Sequence, residues 1–467
     1  MYRFGEKTKM TQAVGRGDAI AAGGLLVVTL LFGGGSRLFP TYRLVVELAA
    51  VLALAWFAWR SWQRPQGWPT WVAVALLTST ILMLLVQLIP LPSPVWQALP
   101  GREDAAAVYA AADASDRAAP LSLNPAGTRS SIAFFIVPFA MFVVALRSGA
   151  DVRRLLLQLI AGFAILNGLL VVLQFQGFPW LTFYYTTSTR PGSGLFANKN
   201  HSAVFLVAAM PALAWTIKER WHSAPLATRR WIAAAATGFI SLTVFGCLSR
   251  AGLALLPIGL LASGMILTSG RPTRRGMALT FGGLAAAAVL LVIVLPQTAV
   301  VGRALERFDA GSDLRYQFWP VVVDTTKAYL PFGSGFGTFP EVFAAREPLS
   351  IVRPTYVNHA HSDYMEIALE GGVPAIVILA GFLIWFCAVA ALRLRACRWG
   401  SVGFAPVVIA VAGVLELILH SLLDYPLRTL ALAGLAAMYC AVLAAPPSAL
   451  DLEPPRRYRQ KVRRTAR

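Results

Sequence analysis

Residues 373–391 read VPAIVILAGFLIWFCAVAA, nineteen positions without one charged side chain. A helix of that length crosses the hydrocarbon core of a bilayer, which is about 30 Å thick. The flanks change character at once, to EGG at 370–372 on one side and to LRLRACR at 392–398 on the other. The basic flank marks the cytoplasmic end, because Lys and Arg accumulate on that side of spanning segments. Worked outward from this segment, the same pattern predicts spans at about 19–33, 43–59, 69–90, 129–147, 154–175, 201–217, 231–249, 251–268, 277–296, 403–422 and 427–445, about twelve helices with 373–391 included. The composition agrees: 57% of residues are hydrophobic and 13% charged, with a mean hydropathy of +0.63, where a soluble chain would carry about a quarter charged residues. The expected fold class is an all-α polytopic membrane protein, and a soluble globular protein is excluded.

A net charge of +19 raises the question of nucleic-acid binding. The positions of the basic residues answer it. With a cytoplasmic N-terminus, the inside segments 1–18, 60–68, 147–154, 218–230, 269–276, 392–400 and 446–467 hold 26 of the 41 Lys and Arg but only six of the 22 Asp and Glu. The excess charge is a topology signal. The basic tail 446–467 is expected to rest on anionic lipid, with no nucleic-acid partner. The first apolar run is read as an uncleaved helix, since further spans follow GGG at 33–35. Cys247, Cys387, Cys397 and Cys440 lie in or beside spans and predict neither a disulfide framework nor a zinc site.

This partition gives nine N-terminal helices over 1–296 with outside loops 91–128 and 176–200, a large outside loop over 297–372, three C-terminal helices over 373–445, and the tail. The first loop is rich in Ala and Pro and reads as a connector with one short helix. The second carries Phe178, Trp180, Phe183, Tyr184 and Tyr185, then RPGSGLFANKNHSA. The third carries most of the outside charge and is the catalytic candidate. Its segment DLRYQFWPVVVDTTKAY has apolar residues at helical spacing, an amphipathic helix expected on or against the membrane face. PFGSGFGTF must turn; it lacks the Lys-Ser/Thr of a phosphate loop, and a tight backbone turn is the better reading. HAHSDYMEIALEGG begins a helix that ends at Gly371 and Gly372.

Several ionisable residues could carry chemistry. Arg250 stands alone between two apolar runs in CLSRAGL; it either marks a short outside turn or binds an anion, and the second is preferred because a turn needs no arginine. Arg315 either forms a surface ion pair with Asp313 or contacts a ligand. Arg190 and Lys199 flank the aromatic loop and either hold a phosphate or anchor the loop at the headgroups. His359 and His361 in NHAHSD resemble a metal-binding H-x-H-x-D, but no second ligand cluster accompanies them. A metal-free histidine base at a helix start is the better chemistry, since neutral imidazole accepts a proton near neutral pH. Asp363, Glu366 and Glu370 share one helix face that either orients a histidine, binds acceptor hydroxyls or is simply solvated. Glu416 and His420, one turn apart in a span, are expected to hydrogen-bond each other.

From SRAGLALL at 249–256, through LRYQFW and PFGSGFGTF, to NHAHSDYMEIALEGGV, the chain resembles the O-antigen ligase and O-antigen polymerase family of bacterial membrane glycosyltransferases. FANKNHSA at 196–203 also resembles members found with exopolysaccharide assembly. The resemblance implies an inner-membrane enzyme with cytoplasmic termini and the large loop in the periplasm. It implies a polyprenyl-diphosphate-linked glycan as donor and a glycan or lipid A-core hydroxyl as acceptor, with no cofactor and no metal. By position it implies Arg250 and Arg315 as functional arginines and His361, followed by Ser362, as the functional histidine, with His359 a second candidate. Two arginine forks, with Arg190 as a further candidate, would bind the diphosphate without a divalent ion. His361 would deprotonate the acceptor for an inverting attack, with Ser362, Asp363 and Glu366 orienting it or the acceptor. The competing class is a non-enzymatic transporter or lipid flippase, which would normally show two similar halves.

Overall fold

The computed structural model describes residues 3–35, 40–58, 67–184, 192–268, 315–353 and 356–446. Its helices are α1 (Arg3–Phe32), α2 (Pro40–Ala58), α3 (Trp68–Val86), α4 (Ser93–Gln97), α5 (Glu103–Ala111), α6 (Pro125–Arg147), α7 (Ala150–Phe175), α8 (Lys199–Arg220), α9 (Leu226–Gly246), α10 (Arg250–Leu267), α11 (Arg315–Tyr329), α12 (Phe339–Ala344), α13 (Asp363–Ala396), α14 (Phe404–His420) and α15 (Leu430–Ala444). Eight of these are long and apolar enough to cross a membrane, and α14 and α15 are shorter apolar helices. The chain is an all-α, multi-pass membrane protein. The predicted span 277–296 lies outside the described residues; each of the others falls on a helix.

Helix α8 is the axis of the bundle. Every residue from His201 to Trp215 is buried, so it is apolar on all sides rather than along one stripe. It packs on α7, α9, α10 and α14. By contrast α2 and α3 expose Leu52, Trp71 and Leu82 on their outer faces, where lipid tails replace protein.

The connector 91–128 holds two short helices, α4 and α5, where the sequence predicts one. They lie between the two strands of a two-residue antiparallel pairing, Pro90–Leu91 with Ala119–Pro120. The segment 192–198 is fixed to α7 by buried amides. Gln174 Oε1 accepts from the N–H groups of Gly192, Ser193 and Gly194, and Asn167 Oδ1 accepts from Leu195 N–H at 2.8 Å.

The amphipathic helix α11 turns its apolar stripe to protein. Its stripe Phe318, Val322, Thr325 and Tyr329 is buried, and Phe318, Val322 and Tyr329 pack with Phe339, Phe343, Ala360 and Leu369 into a second, smaller core beside the bundle. Between this core and the bundle, α13 breaks. Gly372 has φ 59° and ψ −152°, which separates the acidic turns Asp363–Gly371 from the apolar span. A Cβ there would drive into the carbonyl oxygen of Pro331, and φ near +60° disfavours any other residue. The predicted helix end at Gly371 and Gly372 is therefore where the chain changes direction. The turn before α12 is built the same way: Gly333, Gly335 and Gly337 have φ 79°, 108° and 82°.

Candidate functional site

The site forms where the loop before α13, the first turns of α13, and the link between α14 and α15 meet. Ser362 caps α13: its Oγ accepts from Met365 N–H at 3.5 Å and donates to the Ser421 carbonyl at 3.3 Å. Asp363 N–H donates to the carbonyls of Ser421 and Asp424. The helix start is thus seated on the 421–424 link.

Held between these anchors, His361 has φ 50°. A non-glycine residue in that region costs about 1–2 kcal/mol, so the surrounding bonds must over-determine it. Its Nδ1–H donates to Asp424 Oδ1 at 3.2 Å. An ionised carboxylate only accepts, so Nδ1 carries a hydrogen, and in the neutral imidazole Nε2 is the acceptor. The ring stands beside Phe318 and Tyr425 at 6.0 and 5.0 Å, and a third of the side chain is exposed.

Asp424 is 1% exposed. Its Oδ1 also accepts from Tyr425 N–H at 3.0 Å, and its Oδ2 accepts from Asn200 Nδ2–H at 2.7 Å and Asn198 Nδ2–H at 3.4 Å. Burial alone would push the Asp424 carboxyl up. The hydrogen bond from His361 and the nearby histidines outweigh burial and hold it well below the usual carboxylate range.

Two residues back, His359 is buried. Its Nδ1–H donates to Glu366 Oε1 at 2.8 Å and its ring lies on Tyr425 at 4.3 Å. Glu366 Oε2 accepts from Ala360 N–H at 2.9 Å. Asp363, Glu366 and Glu370 do not form a solvated face. All three are buried around Arg428, whose Nη1 lies 2.9 Å from Glu370 Oε2 and 3.5 Å from Glu366 Oε1, and whose Nε lies 3.8 Å from Asp363 Oδ1. Buried carboxylates need such a partner, because water no longer solvates them.

The structure brings Arg315 to this site. It is the first residue of α11 and donates from Nη1 to the carbonyl of Leu423, the neighbour of Asp424. Arg250 opens α10 after Ser249, whose Oγ caps Gly252 N–H at 3.2 Å. A Cβ on Gly252 would strike Ala203, so this helix start lies beside the start of α8, the end that supplies Asn198 and Asn200. Leu248, at φ 51°, makes the sharp turn that precedes it. Arg190 lies outside the described residues, as do Asp313 and Tyr185.

Other expectations change. Glu416 and His420 do not bond each other; both are buried, and among the described residues the Glu416 carboxylate oxygens have no hydrogen-bond partner. Of the loop aromatics, Trp180 is 74% exposed whereas Tyr184 is buried and accepts from Gly34 N–H at 2.9 Å, so Tyr184 braces the fold. The described cysteines are all free. His359 and His361 turn to different carboxylates, and among the described residues no group of His, Cys, Asp and Glu is placed to hold a metal ion.

Asp424, Tyr425, Arg428, Asn198 and Asn200 are the residues that sequence reasoning passed over. The available signal was HSLLDYPLR at 420–428, an acid and an arginine confined to the short break between two apolar runs. A comparison with curated proteins gives no match. Residues 235–380 match the family model described as O-antigen ligase, a stretch that contains Arg250, Arg315 and the His359–Glu370 segment and stops before Asp424 and Arg428. Over these residues the chain is similar to the O-antigen ligase and polymerase family, a likeness that supports a membrane glycosyltransferase of the ligase type.

Proposed function

We propose that the protein transfers or polymerises a polyprenyl-diphosphate-linked glycan onto an acceptor hydroxyl at the periplasmic face of the bacterial inner membrane, in surface polysaccharide synthesis. The observation that carries this reading is the His361–Asp424 pair. A partly exposed imidazole has its Nδ1–H fixed on a buried carboxylate, which leaves Nε2 as the acceptor.

In the reaction the acceptor oxygen attacks the anomeric carbon while its proton passes to His361 Nε2. The bond from that carbon to the diphosphate oxygen breaks, and polyprenyl diphosphate leaves with the electron pair. Attack opposite the leaving group inverts the anomeric centre. Asp424 stabilises the imidazolium that forms. Arg315 and Arg250 present planar donor forks to the departing diphosphate, so charge is met by protein donors and no divalent ion is required. The placement of Arg315 one residue from Asp424 supports this division of roles. On the same reading, residues 297–372 form the periplasmic catalytic loop, both termini are cytoplasmic, and the acceptor is a glycan or a lipid A-core hydroxyl.

The purified protein reconstituted in vesicles, as the only catalyst, tests the reading through release of polyprenyl diphosphate from a lipid-linked glycan in the presence of acceptor. Release coupled to glycan transfer is expected. Movement of the intact lipid-linked glycan across the bilayer without release would favour the flippase reading instead.

A further inference from the structure

Arg428 is enclosed by three carboxylates, and each of the three belongs to a different part of the site. Asp363 Oδ2 accepts from Ser421 Oγ–H at 2.8 Å and Leu427 N–H at 3.2 Å, which ties it to the link after α14. Glu366 accepts from His359 and Ala360 N–H, which ties it to the histidine loop. Glu370 Oε1 accepts from Gly337 N–H at 2.8 Å and Phe339 N–H at 3.2 Å, which ties it to the glycine turn. The guanidinium also lies over Phe336 of that turn, 5.8 Å from the ring centroid. The acids stand on one face of α13 because their spacings are three and four.

A core built only for stability gains little from such a cluster. Apolar residues of similar volume usually pack as well or better, whereas breaking a buried ion pair is costly. What the cluster does is fix three loops in one register. Its charge is already shared among three buried carboxylates, so Arg428 is not a ligand for a substrate anion.

We propose that Arg428 is a positioning residue: by gripping Glu366 and Glu370 together it locks the 359–361 loop to the 333–337 turn and thereby sets where the His361 base stands. This rests on the His361 reading above. The loop holds His361 in a disfavoured backbone conformation, and the contact of Glu366 with Ala360 N–H is one of the bonds that keeps it there. Without Arg428 the buried acids lose the cation that draws them together and would take up protons or move apart, so Glu366 would give up its grip on the loop.

The test uses the full chain in detergent or vesicles, with histidine modification by diethyl pyrocarbonate read residue by residue in a mass spectrometer. In the wild type, His222 on the surface and His361 react, while His359, His201 and His420 are protected by burial. In Arg428→Gln, His359 should become reactive while His201 and His420 stay protected. In the same variant kcat should fall at least about 10-fold with donor KM changed by less than about 3-fold, and Arg428→Lys should recover part of the loss. Glu366→Gln keeps the side chain's size and should release His359 in the same way, which covers the case of an Arg428 variant that does not accumulate.

Protection of His359 in both variants would overturn the proposal. So would exposure of His201 and His420 together with His359, since Arg428 would then serve the whole fold rather than the loop. Full transfer in His361→Ala would instead overturn the base assignment, whatever the Arg428 variants show.

Discussion

Two histidines stand two positions apart, and each donates Nδ1–H to a carboxylate, yet their surroundings differ. His361 faces Asp424 across 3.2 Å with a third of its side chain open, while His359 faces Glu366 across 2.8 Å inside a sealed cluster that includes Arg428. On the proposed reading the same pair of groups serves two purposes: the open pair offers a lone pair to a substrate, and the closed pair braces the loop that holds His361 in its disfavoured backbone conformation.

The comparison can be broken from several sides. The largest effect on donor binding is expected from Arg315→Ala and Arg250→Ala. Each should weaken donor binding by about 10- to 150-fold, a charge-assisted contact being worth about 1.5–3 kcal/mol, with a further loss in turnover. Binding of a fluorescent polyprenyl diphosphate measures the first part, and unchanged affinity in both variants would remove the arginines from the diphosphate site. Asp424→Asn should lower kcat on the order of 10²-fold with little change in donor KM, because the imidazolium loses its counter-charge. His359→Gln should lower kcat only about 10-fold, since it acts through the loop. A larger loss in His359→Gln than in Asp424→Asn, in steady-state transfer assays, would exchange the roles assigned to the two histidines.

The smallest effect is on stability against pH. The Asp424 carboxyl is depressed in the folded chain, so the stability it contributes is fully present above the unfolded value of about 4. That contribution is lost as pH falls through the folded value. The melting temperature of wild type should thus lie above that of Asp424→Asn from pH 5 to 8, and the two should converge in stronger acid. Convergence near neutrality would mean that Asp424 is not held ionised.

The spans were legible because hydropathy over about twenty residues reports burial in lipid whatever the tertiary contacts. The histidine loop was legible from residue type and spacing, Arg315 only through the family resemblance, and the break at Gly372 from a paired glycine after an acidic turn. The burial of Asp363, Glu366 and Glu370 was not, because acids spaced by three and four on a helix look the same whether water or a guanidinium faces them. Only Arg428, contributed by a distant segment, decides between the two. Asp424 was hidden for a similar reason: a lone acid between two apolar runs has the appearance of an ordinary outside turn. Glu416 and His420 show the opposite error, in which helical spacing suggests a bond that the side chains do not make.

The most direct test of the account is His361→Ala, produced at wild-type level and reconstituted with lipid-linked glycan and acceptor, with transfer and donor binding measured on the same preparation. The account predicts that transfer falls by about 10²- to 10⁴-fold, the usual contribution of a positioned base, while donor affinity stays within a few-fold of wild type. Full transfer by His361→Ala would contradict the account, and loss of donor binding in step with transfer would show that His361 holds the donor rather than activating the acceptor.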